Sequence, residues 1–131
     1  PEWQVDRLAS VILDYPSGQC IFTCGMQLVP YQRMQFYGTK GRVELEIPFN
    51  APPDRSCVVQ VDDGGELSGS TITKEQIAVC DQYTVQGEEF SRAVRGLREV
   101  PVPLEDSLRN MQVMAAIFAS AQTGSWVDVG G

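Results

Sequence analysis

The segment Gly38-Thr39-Lys40-Gly41 is the first place in this sequence where the residue types could support chemistry, because it sets a lysine between two glycines. Glycine-rich loops bind phosphate when they open a helix whose first N–H groups point at the anion. The following residues, 42–47 (RVELEI), alternate charged and apolar side chains with a period of two. That period predicts a strand. We therefore interpret Gly38 and Gly41 as turn glycines of a β-hairpin, with Lys40 exposed at its tip.

Two groups of carboxylates are the next candidates. Glu44 and Glu46 lie two residues apart on one face of the predicted strand, so they could act together as acid and base, although a solvated strand face is their more common role. Asp62-Asp63 precede Gly64-Gly65, which hints at a cation site but lacks the further spaced carboxylates of a calcium loop. We interpret both groups as structural and predict no catalytic and no metal-binding residue in the chain.

The absence of histidine removes several kinds of chemistry. The chain has no histidine, which excludes Ser-His-Asp and Cys-His nucleophile systems and histidine-ligated metals. The four cysteines, Cys20, Cys24, Cys57 and Cys80, lack the paired spacing of a zinc site. We predict that they are free, buried thiols in a reducing, cytoplasmic compartment.

Composition and charge exclude further classes of protein. The 131 residues carry a formal net charge of −7, which argues against nucleic-acid binding and against an anionic membrane surface. No apolar run approaches the ~20 residues of a membrane span, and the first residues do not follow the pattern of a signal peptide. The length predicts a single domain over residues 1–131. Because the chain opens without methionine directly before a strand pattern, we expect it to be part of something longer.

Hydrophobic periodicity predicts strands in the first half of the chain and helices in the second. Strands are predicted over 7–14, 20–28, 32–37, 42–47, 57–62 and 72–79. A first helix is predicted between Asp81 as N-cap and Gly96, and a second between Pro103 or Leu104 and Gly124. This order predicts an α+β fold, with an open, mostly antiparallel sheet and two helices packed on one of its faces.

The second face of that sheet raises the question of a partner. Several strands carry apolar side chains that two helices on one face cannot cover, and exposed apolar patches usually mark partner surfaces. We expect this face to form a homo-oligomer interface, with Val43, Leu45 and Ile47 as candidate interface residues.

Four segments in order resemble the C-terminal domain of the Gfo/Idh/MocA family, the glucose–fructose oxidoreductase and inositol dehydrogenase type. They are DRLASVILDYPSGQCIFTCGMQL, YQRMQFYGTKGRVELEIPFNAP, DQYTVQGEEFSRAVRG and EVPVPLEDSLRNMQVMAAIFASAQTGSWVDV. The resemblance covers nearly the whole chain. It implies a parent enzyme that oxidises or reduces a sugar, polyol or related carbonyl compound with NAD or NADP.

The same resemblance shows what this chain lacks. It has no G-x-G-x-x-G motif opening a helix, no Glu-Lys-Pro motif and, without histidine, no D-x-x-x-H segment. No catalytic or cofactor-binding residue of the family therefore carries over to a position here. The resemblance implies a substrate-side and oligomerisation domain that is inactive alone, without a cofactor of its own, and separate from the Rossmann domain of the same protein.

Two alternatives remain open at this point. The chain could be a free-standing dimerising or scaffold module without an enzymatic parent. It could also be a sugar-binding module in which Trp3, Tyr31 or Trp126 stacks on a ring, although packing is the more common role of such aromatic residues.

Overall fold

The computed structural model describes residues 5–130. It contains six strands and two helices, β1 (Leu8–Tyr15), β2 (Gly18–Gly25), β3 (Arg33–Gly38), β4 (Gly41–Glu46), β5 (Cys57–Asp62), β6 (Thr73–Ile77), α1 (Gln82–Val94) and α2 (Leu104–Thr123). The chain divides into two compact units. The first comprises residues 1–28 and 99–131, with β1, β2 and α2, and the second comprises residues 29–98, with β3 to β6 and α1.

The strands in the first unit form a hairpin. β1 and β2 pair antiparallel from Leu8 opposite Gly25 to Tyr15 opposite Gly18. Pro16 and Ser17 form the loop between them, as expected for a turn in which proline presets φ. A hydrogen bond of 3.0 Å joins the Ser10 and Thr23 hydroxyl groups across the strands. The hairpin is therefore held in register by backbone and side-chain bonds.

The second unit contains a four-stranded sheet in the order β3-β4-β5-β6. All neighbouring strands in it are antiparallel. The six strands thus form two open sheets where the sequence predicted one. Pro30 lies in the segment between β2 and β3 and cannot donate a ladder hydrogen bond, which favours a break there. The predicted α+β class with antiparallel strands is confirmed.

Both helices begin and end at the residues that the sequence indicated. Asp81 is the N-cap of α1, and its side chain accepts a hydrogen bond from the Tyr83 backbone N–H at 2.9 Å. Gly96, at φ 67°, lies just after the C-cap, where the N–H groups of Gly96 and Leu97 bond back to the Ala93 and Arg92 carbonyl oxygens. α2 follows Pro103 and ends at Gly124, whose φ of 65° is left-handed.

The four-stranded sheet has two chemically different faces. The observed register places charged and polar side chains together on one side, and we call this the polar face. We call the opposite side the apolar face. The polar face carries Arg33, Gln35, Tyr37, Arg42, Glu44, Glu46, Val58, Gln60, Asp62, Lys74 and Gln76. The apolar face carries Met34, Phe36, Val43, Leu45, Cys57, Val59, Val61, Thr73, Glu75 and Ile77.

Burial is low throughout the part of the chain that the structure describes. Between residues 5 and 130, no hydrophobic side chain is fully buried. The prediction of buried cysteines is wrong, because Cys20, Cys24 and Cys80 are exposed and Cys57 is half-buried. The buried residue is a charged one, Asp62, with 8% of its surface exposed. Neither described helix is long and apolar enough to cross a membrane.

Glycine is required where β4 meets the end of β5. A Cβ added at Gly41 would lie 2.3 Å from the Asp62 carbonyl oxygen, much closer than real Cβ contacts. At Gly38, on the other side of the same turn, an added Cβ would lie 3.5 Å from the Gly41 carbonyl oxygen, an ordinary contact. The two glycines of the motif therefore differ in their tolerance of a side chain.

We predict that Gly41→Ala lowers the free energy of unfolding by about 1–3 kcal/mol, because the backbone of β5 must move away from the new methyl group. Gly38→Ala is the matched control, with a loss below ~1 kcal/mol. Urea unfolding of the two variants measures the difference. Equal losses would mean that the close approach at Gly41 does not constrain the sheet.

Candidate functional site

The structure brings together the two glycine-containing segments that the sequence presents separately. Gly38 and Gly41 form the last pair between β3 and β4, and Thr39 and Lys40 form the loop of the hairpin. A shallow, open depression at this tip is also lined by Asp62, Asp63 and Gly64. The Gly38–Gly41 loop joins two strands rather than opening a helix, so it lacks the helix N-terminus on which phosphate-binding glycine motifs rely.

Asp62 is the best-connected side chain of this region. Its Oδ2 atom lies 3.0 Å from Nε of Arg42, the residue directly after the Gly38–Gly41 loop. Its Oδ1 atom accepts hydrogen bonds from the Gly64 backbone N–H and from the Thr71 hydroxyl group, each at 3.0 Å. These bonds tie the hairpin, the end of β5 and the segment before β6 to one carboxylate. We call Arg42, Asp62, Gly64 and Thr71 the Asp62 cluster.

The contacts within the Asp62 cluster stabilise charge on both partners. The Gly64 N–H, the Arg42 guanidinium and the Thr71 hydroxyl lower the pKa of Asp62 below its ordinary value, against the opposing effect of desolvation. The hydrogen bond to Asp62 raises the pKa of Arg42. Both oxygens of Asp62 already accept hydrogen bonds. The arrangement of the cluster is therefore that of a structural contact rather than of a proton donor or a cation ligand.

A chain of polar contacts runs across the rest of the polar face. Arg33 lies between two carboxylates, with Nε 3.3 Å from Glu44 Oε1 and a terminal nitrogen 3.7 Å from Glu46 Oε1. Gln35 donates to Glu44 Oε2 at 2.6 Å and accepts from the Tyr37 hydroxyl group at 2.8 Å. Gln60 donates to Glu46 Oε1 at 3.2 Å. Both glutamates of β4 are thus half-buried members of a connected network rather than freely solvated side chains.

The candidate interface residues lie on or beside the apolar face. Val43 and Leu45 belong to it and are half-buried. Ile47 was expected to continue the same strand, but β4 ends at Glu46 and Ile47 has a left-handed φ of 52°. The structure thus brings Val43 and Leu45 together and turns the chain at Ile47. Whether any of the three contacts a partner stays a prediction.

The aromatic residues considered for stacking are placed differently from one another. The Tyr31 ring has the Arg33 guanidinium 5.3 Å from its centre, so one side of it already contacts a cation. Trp126 follows α2 and is 69% exposed. Trp3 lies outside the described residues. Tyr31 and Trp126 belong to different units.

The part of the chain that the structure describes does not fit a dinucleotide or a metal. A dinucleotide site needs a βαβ unit with a glycine-rich turn leading into a helix. All strand pairs between residues 5 and 130 are antiparallel, and no glycine-rich turn among them leads from a strand into a helix. Within the same residues, no three cysteine or carboxylate side chains lie close enough together to hold a metal ion.

Comparison with known sequences decides the family. The profile of the oxidoreductase family C-terminal alpha/beta domain, of Gfo/Idh/MocA type, matches residues 1–129. The chain belongs to the Gfo/Idh/MocA oxidoreductase family. The match spans β1 to α2, including the hairpin tip and the Asp62 cluster, so the described site lies within the C-terminal domain of that family.

Two curated proteins are similar to this family member over nearly its whole length. An uncharacterized oxidoreductase, ORF334, from Rhizobium meliloti is 36% identical over 130 residues, which cover 98% of this chain and 39% of that protein. A D-xylose 1-dehydrogenase (NADP(+)) from Haloferax volcanii is 30% identical over 128 residues, which cover 95% of this chain and 37% of that enzyme. The chain therefore spans about two fifths of the length of these relatives. No solved structure matches it.

Sequence reasoning missed the contacts that connect the site. Arg42, Asp62 and Thr71 are far apart in sequence, and only the register between β4 and β5 brings Arg42 opposite Asp62. The alternation of β4 did place Arg42, Glu44 and Glu46 on one face. The available signal for Asp62 was its position at a strand end before two glycines, where an aspartate often accepts a backbone hydrogen bond.

We predict that Asp62→Asn lowers the free energy of unfolding at neutral pH and makes that free energy depend less on pH in the acidic range. Because the folded-state pKa of Asp62 is lowered, its contribution is fully present above the unfolded value of about 3.9 and is lost as the pH falls through the folded-state pKa. The free energy of unfolding, measured by urea titration between about pH 7 and pH 2, should fall less steeply in Asp62→Asn than in the wild type.

Asp63→Asn is the matched control, since it removes the same charge from a side chain that, among residues 5–130, bonds only the Gly65 N–H, at 2.9 Å. A pH dependence that Asp63→Asn flattens as much as Asp62→Asn would contradict the role of the Asp62 cluster.

Proposed function

We propose that this chain is the substrate-side and assembly domain of an NAD(P)-dependent oxidoreductase that acts on a sugar, a polyol or a related carbonyl compound. The observation that carries the proposal is the family match over residues 1–129. One relative is named as an NADP(+)-dependent D-xylose 1-dehydrogenase, which supports both the cofactor class and the substrate class. The cytoplasmic location predicted from the free cysteines is part of the same proposal.

The proposal divides the work of the enzyme between this chain and another part of the protein. The described residues do not fit a dinucleotide, and the chain spans about two fifths of its relatives. Cofactor binding therefore falls to a Rossmann domain outside these residues, and this chain is inactive alone. No step of hydride transfer is assigned to a residue of this chain.

The polar face is the part of this chain best suited to contribute a wall of the substrate pocket. Its carboxylates, amides and guanidinium provide both donors and acceptors, which is what the hydroxyl groups of a sugar or polyol require. The contacts among Arg33, Glu44 and Glu46 hold these groups in fixed positions before any ligand arrives. A fixed polar wall of this kind lowers the cost of orienting a ligand.

Calorimetric titration with NADH and NADPH tests this division of labour. We predict no binding to the 131-residue chain and binding of one of the two cofactors, with Kd in the micromolar range typical of enzyme ligands, to the complete protein. Cofactor binding to the isolated chain would overturn the proposal. A complete protein that binds neither cofactor would instead favour a scaffold or sugar-binding module.

We further propose that the apolar face associates with a second copy of the chain. Phe36, Val61 and Ile77 on this face are 53%, 42% and 42% exposed, although they lie beside half-buried Val43 and Leu45. Removing apolar surface from water contributes about 25 cal/mol per Å². A two-fold arrangement lets each copy cover the same surface of the other, which is the most common symmetry of soluble oligomers.

Leu45→Glu tests the association, because it places a charge at the centre of the apolar face. We predict that the complete protein loses its oligomeric mass in light scattering at concentrations where the wild type is fully assembled. Gln76→Glu, which adds one negative charge to the polar face, should leave the mass unchanged. If both variants keep the wild-type mass, assembly does not use the apolar face.

A further inference from the structure

Ile47 has a backbone conformation that the local sequence pattern disfavours. The alternation over residues 42–47 predicts an extended isoleucine, and Ile47 instead has a φ of 52°. Among residues 5–130 it is the one residue other than glycine with a positive φ. A β-branched side chain in the left-handed region is strained, because its Cβ crowds the backbone. Local preference and observed conformation therefore disagree at the end of β4.

The side chain of Gln32 provides the bonds that hold this conformation. Its Oε1 atom accepts hydrogen bonds from the backbone N–H groups of Phe49 and Asn50, at 3.3 and 3.2 Å. Gln32 is half-buried and lies directly before β3. One amide oxygen thus fastens the segment that leaves β4 to the strand beside it, and its two bonds offset the strain at Ile47.

The strand register shows where the segment would go if that fastening opened. Arg33 pairs with Glu46, so one more step of the same ladder would set Ile47 opposite Gln32. On the other side, the pairing of Leu45 with Val59 would set Ile47 opposite Cys57, the first residue of β5. Extended residues advance about 3.3 Å each, so Phe49 would then lie roughly 7 Å beyond Ile47 along β4. The Gln32 oxygen could not accept from both Phe49 and Asn50 in that arrangement.

We infer that residues 47–50 form a two-state strap, fastened by Gln32 in one state and released into a longer β4 in the other. The two states are mutually exclusive, because Gln32 bonds the strap with its side chain in the first and faces Ile47 across the ladder in the second. Release also moves the Ile47 side chain onto the apolar face, beside Val43 and Leu45. A second copy bound to that face would therefore favour the released state.

That last link rests on the proposed assembly role, whereas the strap itself does not. Amide hydrogen exchange in the complete protein, read at single residues by mass spectrometry, tests the strap without reference to assembly. Four variants are informative: Gln32→Ala removes the acceptor and Gln32→Glu keeps one, while Ile47→Gly removes the strain and Ile47→Val keeps it.

In Gln32→Ala we expect the Phe49 and Asn50 amides to exchange about tenfold faster, because each loses its acceptor. The Ile47 amide should exchange more slowly in the same variant, because it gains a ladder bond in the longer β4. These opposite changes in exchange rate distinguish a switch between two states from a general loss of local structure, which would accelerate all three amides. Gln32→Glu should stay within about threefold of the wild type at all three amides.

In Ile47→Gly we expect Phe49 and Asn50 to exchange about tenfold more slowly than in the wild type, because the fastened state is no longer strained. Ile47→Val should leave their exchange within about threefold. The inference is overturned if Ile47→Gly does not slow this exchange, or if Gln32→Ala accelerates all three amides together. The glycine variant decides the matter alone if Gln32→Ala fails to fold, and none of these outcomes depends on the oligomeric mass.

Discussion

The alternation of charged and apolar side chains along β4 is the constraint on which the four-stranded sheet depends. Because successive side chains point to opposite sides of a strand, Arg42, Glu44 and Glu46 face one way while Val43 and Leu45 face the other. β3 and β5 repeat this separation in register, so the sheet has one networked polar face and one apolar face. A slip of one residue would exchange the two sets, so the register decides which side of the sheet is polar and which is apolar.

The Asp62 cluster stabilises that register at the end of the sheet that carries the Gly38–Gly41 loop. Gly41 lets β4 approach the Asp62 backbone, and the Asp62 side chain then bonds Arg42 on the same strand. The close backbone approach and the ion pair thus lie side by side, where the start of β4 meets the end of β5. The glycine-containing loop that first suggested phosphate chemistry joins two strands, and the groups proposed to line the substrate pocket lie further along the polar face, around Arg33.

Much of this architecture follows from local sequence signals. Asp81, Gly96 and Gly124 set the ends of the helices through capping bonds and left-handed backbone, and such signals act within one turn of the helix. The hairpin at Gly38–Gly41 is equally local. The division of the strands into two sheets was not predictable in this way, because it depends on which strands pair with each other rather than on the sequence of any one segment.

The contacts that the sequence did not reveal all depend on distant register. Arg42 meets Asp62 only because β4 and β5 pair with a particular offset across the segment that begins at Ile47. The fastening of Phe49 and Asn50 by Gln32 arises in the same segment, where tertiary bonds override the extended preference of Ile47. Prediction from pattern fails where a strained backbone is held by a side chain that is distant in sequence, as Gln32, just before β3, holds the segment after Ile47.

The proposed function makes the apolar face of the sheet the surface through which this domain assembles. The most direct test is the solution mass of the 131-residue chain, measured by light scattering over a concentration series. If the apolar face drives assembly, the mass approaches twice the monomer value of 14.4 kDa as the concentration rises. A folded chain that remains monomeric at every concentration would contradict it, because the apolar face would then not suffice for self-association.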